Sequence, residues 1–86
     1  MPRTNADVLK AFGSAVRAAR EESGRSQEAL GNDAGLDRTY VSGLERGIRN
    51  PTLTTQIKLA EALELPLATI VSDMERRLKQ PRSRRS

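Results

Sequence analysis

Apolar residues recur at steps of three and four along most of the chain, and the breaks fall at glycine, proline and short hydroxyl side chains. That pattern predicts helices joined by short turns, with no strand and no internal repeat. From Asp7 to about Glu22, Val8, Phe12, Ala15, Val16 and Ala19 make one stripe, with Asn5 or Thr4 able to cap its start and Gly24 suited to its end. A short second helix follows Ser26 as N-cap, turns Leu30 and Ala34 inward, and stops at Gly35, which tolerates a left-handed backbone. The third begins at once behind Asp37. The stretch "GIRNPT" (47–52) breaks the period and reads as a loop, after which Thr52 can cap a fourth helix with the stripe Leu53, Ile57, Ala60 and Leu63. Pro66 fits the first turn of a fifth helix carrying Leu67, Ile70, Val71, Met74 and Leu78, and Pro81 ends it. The expected architecture is a compact all-α domain of five helices over residues 1–79, followed by a basic, disordered tail over 80–86.

Length and composition narrow the function classes. Eighty-six residues suit one small domain, which buries only about 60% of its unfolded surface and gains from a partner subunit. The chain has no Cys and no His, so disulfides, the usual soft metal ligands and histidine acid–base chemistry are absent. No nucleophile–base set and no glycine-rich phosphate loop appears either, so the reading is a non-enzyme with no metal and no cofactor. The longest apolar runs fall far short of the roughly 20 residues of a membrane span, and no signal-peptide core is present, which predicts a cytoplasmic, nucleoid-associated protein.

The net charge of +4 is unevenly placed. Arg76, Arg77, Lys79, Arg82, Arg84 and Arg85 crowd the last eleven positions without an acid, leaving nine basic residues against eleven acidic in residues 1–75. A high isoelectric point therefore reports the C-terminal end and does not by itself argue that the fold binds nucleic acid. The arrangement of charges has to carry that inference.

It does so in "LDRTYVSGLERGIRNP" (36–51). At about 100° per residue, Tyr40, Val41 and Leu44 share one arc of the third helix, while Arg38, Thr39, Ser42, Glu45 and Arg46 share the other. A small residue at Gly31 lets the second and third helices cross closely, and Gly35 permits a tight turn between them, which is helix-turn-helix geometry.

Over Phe12 to Ile70, and most specifically in "SQEALGNDAGLDRTYVSGLERGIRNPTL", the chain resembles the lambda-repressor-like, or Xre-type, helix-turn-helix proteins. The family's twenty-residue motif lies over Gln27 to Arg46, with Leu30, Ala34, Gly35, Leu36, Val41 and Leu44 at its apolar and turn positions; Gly31 departs from the family's usual alanine. "LDRTYVSGLERGIRN" also resembles the recognition segment of restriction–modification controller proteins, although generic phage and plasmid repressors are nearly as similar.

The resemblance implies roles for individual residues. Gln27, opening the second helix, matches a glutamine that bonds a DNA phosphate, its alternative being ordinary first-turn solvation. Arg38 and Thr39 open the recognition helix. Arginine can fork onto guanine O6 and N7, and threonine can meet a thymine methyl or a phosphate, so both are base-contact candidates, with a surface pair to Asp37 as the bland role of Arg38. Ser42 can touch base or phosphate, or simply permit close approach. Gly43 lacks a side chain where relatives often carry a base-contacting one. Tyr40 packs at the edge of the core, with its hydroxyl in reach of a phosphate. Arg46 clamps the backbone, Arg49 does so or reaches bases, and Asn50 joins them on phosphate or only builds the turn before Pro51. Arg17 is divided between a phosphate and solvent.

Glu45 would repel phosphate unless a cation neutralised it; in the resemblance this glutamate pairs with an arginine late in the first helix, here Arg20, which makes both structural. The apolar stripe Leu67, Ile70, Met74 and Leu78 predicts a dimer interface, the alternative being closure of the monomer core. The resulting expectation is a sequence-specific transcriptional regulator, repressor or dual-acting switch, that binds palindromic double-stranded DNA as a homodimer, with RNA polymerase or another protein as a further candidate partner. The competing reading is an antitoxin-like interaction module for which DNA binding is secondary.

Overall fold

A computed structural model describes residues 3–80 of the chain. Five helices follow one another: α1 (Asn5–Glu22), α2 (Gln27–Ala34), α3 (Arg38–Glu45), α4 (Leu53–Ala62) and α5 (Leu67–Lys79), with no strand among the described residues.

Their ends are set by local chemistry. Thr4, rather than Asn5, caps α1: its Oγ1 accepts the Asp7 amide at 3.0 Å, and the Asp7 carboxylate accepts the Thr4 amide at 3.2 Å. That reciprocal pair satisfies two donors the helix itself leaves without acceptors. Ser26 Oγ accepts the Ala29 amide at 3.0 Å and Thr52 Oγ1 the Thr55 amide at 3.2 Å, fixing the starts of α2 and α4 in the same way. Asp37 holds the N-cap position of α3 without a side-chain cap bond. Pro66 occupies the N-cap of α5, one residue before the first-turn position expected of it. Its fixed φ suits that place and its missing N–H costs nothing there. α5 ends at Lys79 with Gln80 as its cap, and the predicted stop at Pro81 and most of the basic tail lie outside the described residues.

The α2–α3 turn depends on two glycines. Gly35 takes a left-handed φ of 72°, and the Leu36 amide then reaches back to the Gly31 carbonyl at 2.7 Å. A Cβ on Gly31 would lie 2.5 Å from the Leu36 carbonyl oxygen, so the closeness of this turn excludes even the alanine that the family pattern favours. Gly13 plays a similar part in the middle of α1. A Cβ there would lie 2.2 Å from the Leu44 carbonyl oxygen, which lets α1 cross directly over the end of α3.

The core unites Phe12, Ala15 and Val16 of α1, Leu30 and Ala34 of α2, Val41 and Leu44 of α3, Leu59, Ala60 and Leu63 at the end of α4, and Ile70 of α5. Two expectations need correction. In α4 the inward residues are Leu59, Ala60 and Leu63, while Leu53 and Ile57 are 67% and 40% exposed. The helix has two adjacent apolar arcs, and the expected stripe merged one residue pair from each. In α5, Ile70 is only 2% exposed, so it closes the monomer core and is not available as the dimer contact expected of it. Leu67 and Met74 pack partly against the same core, Leu78 is half-buried, and the helix as a whole lies along α1.

Candidate nucleic-acid interface

α3 is an eight-residue helix with one buried and one displayed side. Val41 and Leu44 are fully within the core, and Tyr40 packs against its edge. Arg38 and Thr39 stand exposed on the opening turn, Ser42 is half-buried one turn later, and Arg46, Arg49 and Asn50 are exposed beyond the helix end. With the core holding one arc rigidly, the other is presented as a unit.

The acid on this helix is neutralised inside the fold. The Glu45 side chain is only 2% exposed. Arg20 Nε donates to its Oε2 at 2.7 Å and Arg20 Nη2 to its Oε1 at 3.1 Å, a two-pronged pairing of planar guanidinium with planar carboxylate. Arg20 Nη1 donates to the Arg25 carbonyl at 2.9 Å, so the guanidinium joins α1, α3 and the end of the α1–α2 turn, just before the Ser26 cap. The hydrogen bond with Glu45 raises the Arg20 pKa above its already high ordinary value, against the opposing effect of burial. Arg20 therefore stays charged at any working pH, and its pairing with Glu45 removes a repulsive carboxylate from the displayed surface.

Gln27 belongs to this cluster as well, which its sequence role did not anticipate. Its Nε2 donates to Glu45 Oε1 at 3.0 Å. One amide hydrogen is thus directed inward, and the second is engaged by no other group among the described residues.

The remaining cations divide by whether the protein occupies them. Arg17 is held by Glu21 at 3.0 Å in an exposed pair one turn apart, which weakens its claim on phosphate. Arg46 Nε turns back to the Ser42 carbonyl at 3.4 Å. Arg38 has no hydrogen-bond or ion-pair partner among the described residues, so the surface pair with Asp37 does not form. Arg49 folds over the helix it follows: its guanidinium carbon lies 5.5 Å from the centre of the Tyr40 ring, within cation–π range. This stack joins a loop residue to the displayed side of α3. The pattern of residues offered only indirect signals of it, a lone aromatic at the edge of the arc and a glycine one turn on.

Among the described residues no group of His, Cys, Asp and Glu side chains could hold a metal ion, and no helix is long and apolar enough to cross a membrane.

The helix-turn-helix family profile matches residues 16–70, from the middle of α1 through the start of α5. The chain belongs to the helix-turn-helix family. Relatives of this helix-turn-helix protein include an uncharacterised HTH-type transcriptional regulator, y4dJ, of Sinorhizobium fredii, 39% identical over 66 residues that cover 77% of this chain and 86% of that one. The control protein C.MunI of a Mycoplasma species is 35% identical over 71 residues, covering 81% of this chain and 96% of its own. Among solved structures, the restriction–modification controller protein C.AhdI of Aeromonas hydrophila superposes with a TM-score of 0.71 at 45% identity, over 72% of this chain and 94% of that one. The controller protein C.Esp1396I, solved as a tetramer on its natural 35-base-pair operator, superposes with a TM-score of 0.78 at 29% identity over 85% and 96% of the two chains. The expected five-helix fold, the helix-turn-helix in α2 and α3, and the resemblance to controller proteins all stand.

Proposed function

We propose that this helix-turn-helix protein is a sequence-specific transcriptional regulator, a repressor or dual-acting switch, that binds a palindromic operator as a homodimer with α3 in the major groove. The observation that carries the reading is the division of charge on α3: Arg38 is displayed without a partner among the described residues, while Glu45 is withdrawn and neutralised. A merely solvated helix has no need to hide its acid. The kinship with transcriptional regulators and controller proteins, one of them solved on its operator, supports the same conclusion.

In this reading Arg38 and Thr39 meet base edges, Ser42 approaches closely enough to touch base or phosphate, and Arg49 reads bases beside them. Gln27, Arg46, Asn50 and the Tyr40 hydroxyl set the register on phosphates. The work is binding, without turnover, metal or cofactor, and it takes place where the chromosome is. Polymerase is the partner such a regulator would block or recruit.

Two-fold DNA needs a two-fold protein. With Ile70 committed to the core, the pairing surface moves to the exposed apolar side chains Ile48, Leu53 and Ile57, at 63%, 67% and 40% exposure, with Leu67, Met74 and Leu78 at most flanking it. Selection of bound duplexes from a random pool at about 150 mM salt should return a palindrome whose half-site centres lie about 10 base pairs apart. An unrelated set of bound sequences would refute the reading. Ile57→Glu should give a monomer by sedimentation equilibrium, and a dimer that persists would place the interface elsewhere.

A further inference from the structure

Gly43 sits inside α3, where glycine weakens a helix relative to alanine, yet it is buried in spite of facing the recognition side. What buries it is the loop beyond the helix. A Cβ on Gly43 would lie 3.1 Å from Arg49 Cγ and 3.3 Å from Ile48 Cγ1, both tighter than ordinary contact, and 3.4 Å from Arg49 Nε, at its edge. The missing side chain is the space in which the aliphatic part of Arg49 lies. The far end of Arg49 then meets the Tyr40 ring at 5.5 Å, and that ring is itself seated against the core.

We propose that Gly43 and Tyr40 are positioning residues for Arg49: the vacancy at 43 admits its stem, the ring at 40 holds its guanidinium, and the arginine is fixed beside the recognition helix before DNA arrives. The inference rests on the regulator reading and deepens it. A free arginine on a loop must lose most of its rotamer freedom when it meets a base edge. One already laid in a groove has lost it at folding, so its contact is stronger and its aim narrower. Ile48 Cγ1 borders the same vacancy, while the side chain as a whole is turned outward at 63% exposure.

Tyr40 is the sole aromatic residue besides Phe12, and the chain has no Trp. Its ring current is therefore a clean reporter. In the free protein, NMR should show the Arg49 side-chain protons shifted upfield, with the shift lost in Tyr40→Leu and much reduced in Gly43→Ala. Alanine restores helix propensity, so Gly43→Ala should melt no lower than the unsubstituted protein, and any loss of binding cannot be assigned to unfolding. On the selected operator, Gly43→Ala should bind about two- to tenfold more weakly, as expected for one side chain ordered on binding. It should also lose preference at the same base position as Arg49→Ala. Ordinary Arg49 shifts in the unsubstituted protein would overturn the proposal, as would a Gly43→Ala protein that discriminates as well as its parent. If the unsubstituted protein binds all duplexes equally, the regulator reading falls and takes this inference with it; a discriminating parent with an equally discriminating Gly43→Ala variant sinks the inference alone.

Discussion

Removing Arg20 should destabilise the fold severely, and by a route that separates structure from recognition. Glu45 receives three side-chain hydrogen bonds, two from Arg20 and one from Gln27, and its side chain is 2% exposed. Arg20→Ala leaves a buried carboxylate with a single amide donor. Breaking a buried pair from one side costs about 3–5 kcal/mol, because the surviving charge is neither solvated nor compensated. A domain of this length has about 4–13 kcal/mol to lose, so the variant should be marginal. In a domain this small each kcal/mol moves the melting temperature by about 4–8 °C, so circular dichroism should show a fall of at least about 12 °C. The double variant Arg20→Met with Glu45→Met removes both charges and fills their volume, and should be markedly more stable than either single change. A thermodynamic cycle with little coupling, or an Arg20→Ala protein that melts normally and fails only on DNA, would refute the structural assignment and return Arg20 to the recognition surface.

Gly13→Ala should cost about 1–3 kcal/mol by thermal melting, since its Cβ would lie 2.2 Å from a backbone oxygen that cannot turn aside; an unchanged melting temperature would show that α1 and α3 separate readily. Glu64 holds a left-handed φ of 60° just beyond α4, with an exposed pair to Arg25 at 3.3 Å as its compensation. Glu64→Gly should therefore stabilise by about 0.5–1 kcal/mol, the backbone relief exceeding an exposed pair, and a loss of that size would show that the pair dominates. Arg38→Ala should flatten preference at one base position, while Arg46→Ala should weaken all duplexes alike and reduce the salt slope by about one unit. The opposite assignment of these two effects in parallel titrations would exchange their roles.

The helices were legible because capping residues and apolar spacing act locally. Ser26, Gly35 and Thr52 sit where their side-chain or backbone chemistry demands. The tie between Arg20 and Glu45 follows from the family likeness and from the physical awkwardness of an acid on a DNA-facing helix. What escaped depends on contacts distant in the chain. Periodicity could not divide the two apolar arcs of α4, because which arc is covered depends on the placing of α2 and α5. Ile70 could not be assigned between core and interface for the same reason. The use of Gln27 against Glu45 joins residues 18 apart, and the close crossing at Gly13 needed the path of α3 to be known, although an isolated glycine within an apolar stripe was a signal of some close approach. In the sequence Gly43 stands for a lost contact, whereas in the fold the stem of Arg49 lies against it.

The measurement that bears most directly on the central claim is a pair of equilibrium titrations at about 150 mM salt, one on the selected palindrome and one on a scrambled duplex of equal length. The regulator reading predicts two chains per palindrome and a preference of at least about a thousandfold for it. Equal affinity for the two duplexes would contradict it, leaving a helix-turn-helix fold whose displayed face serves some other partner.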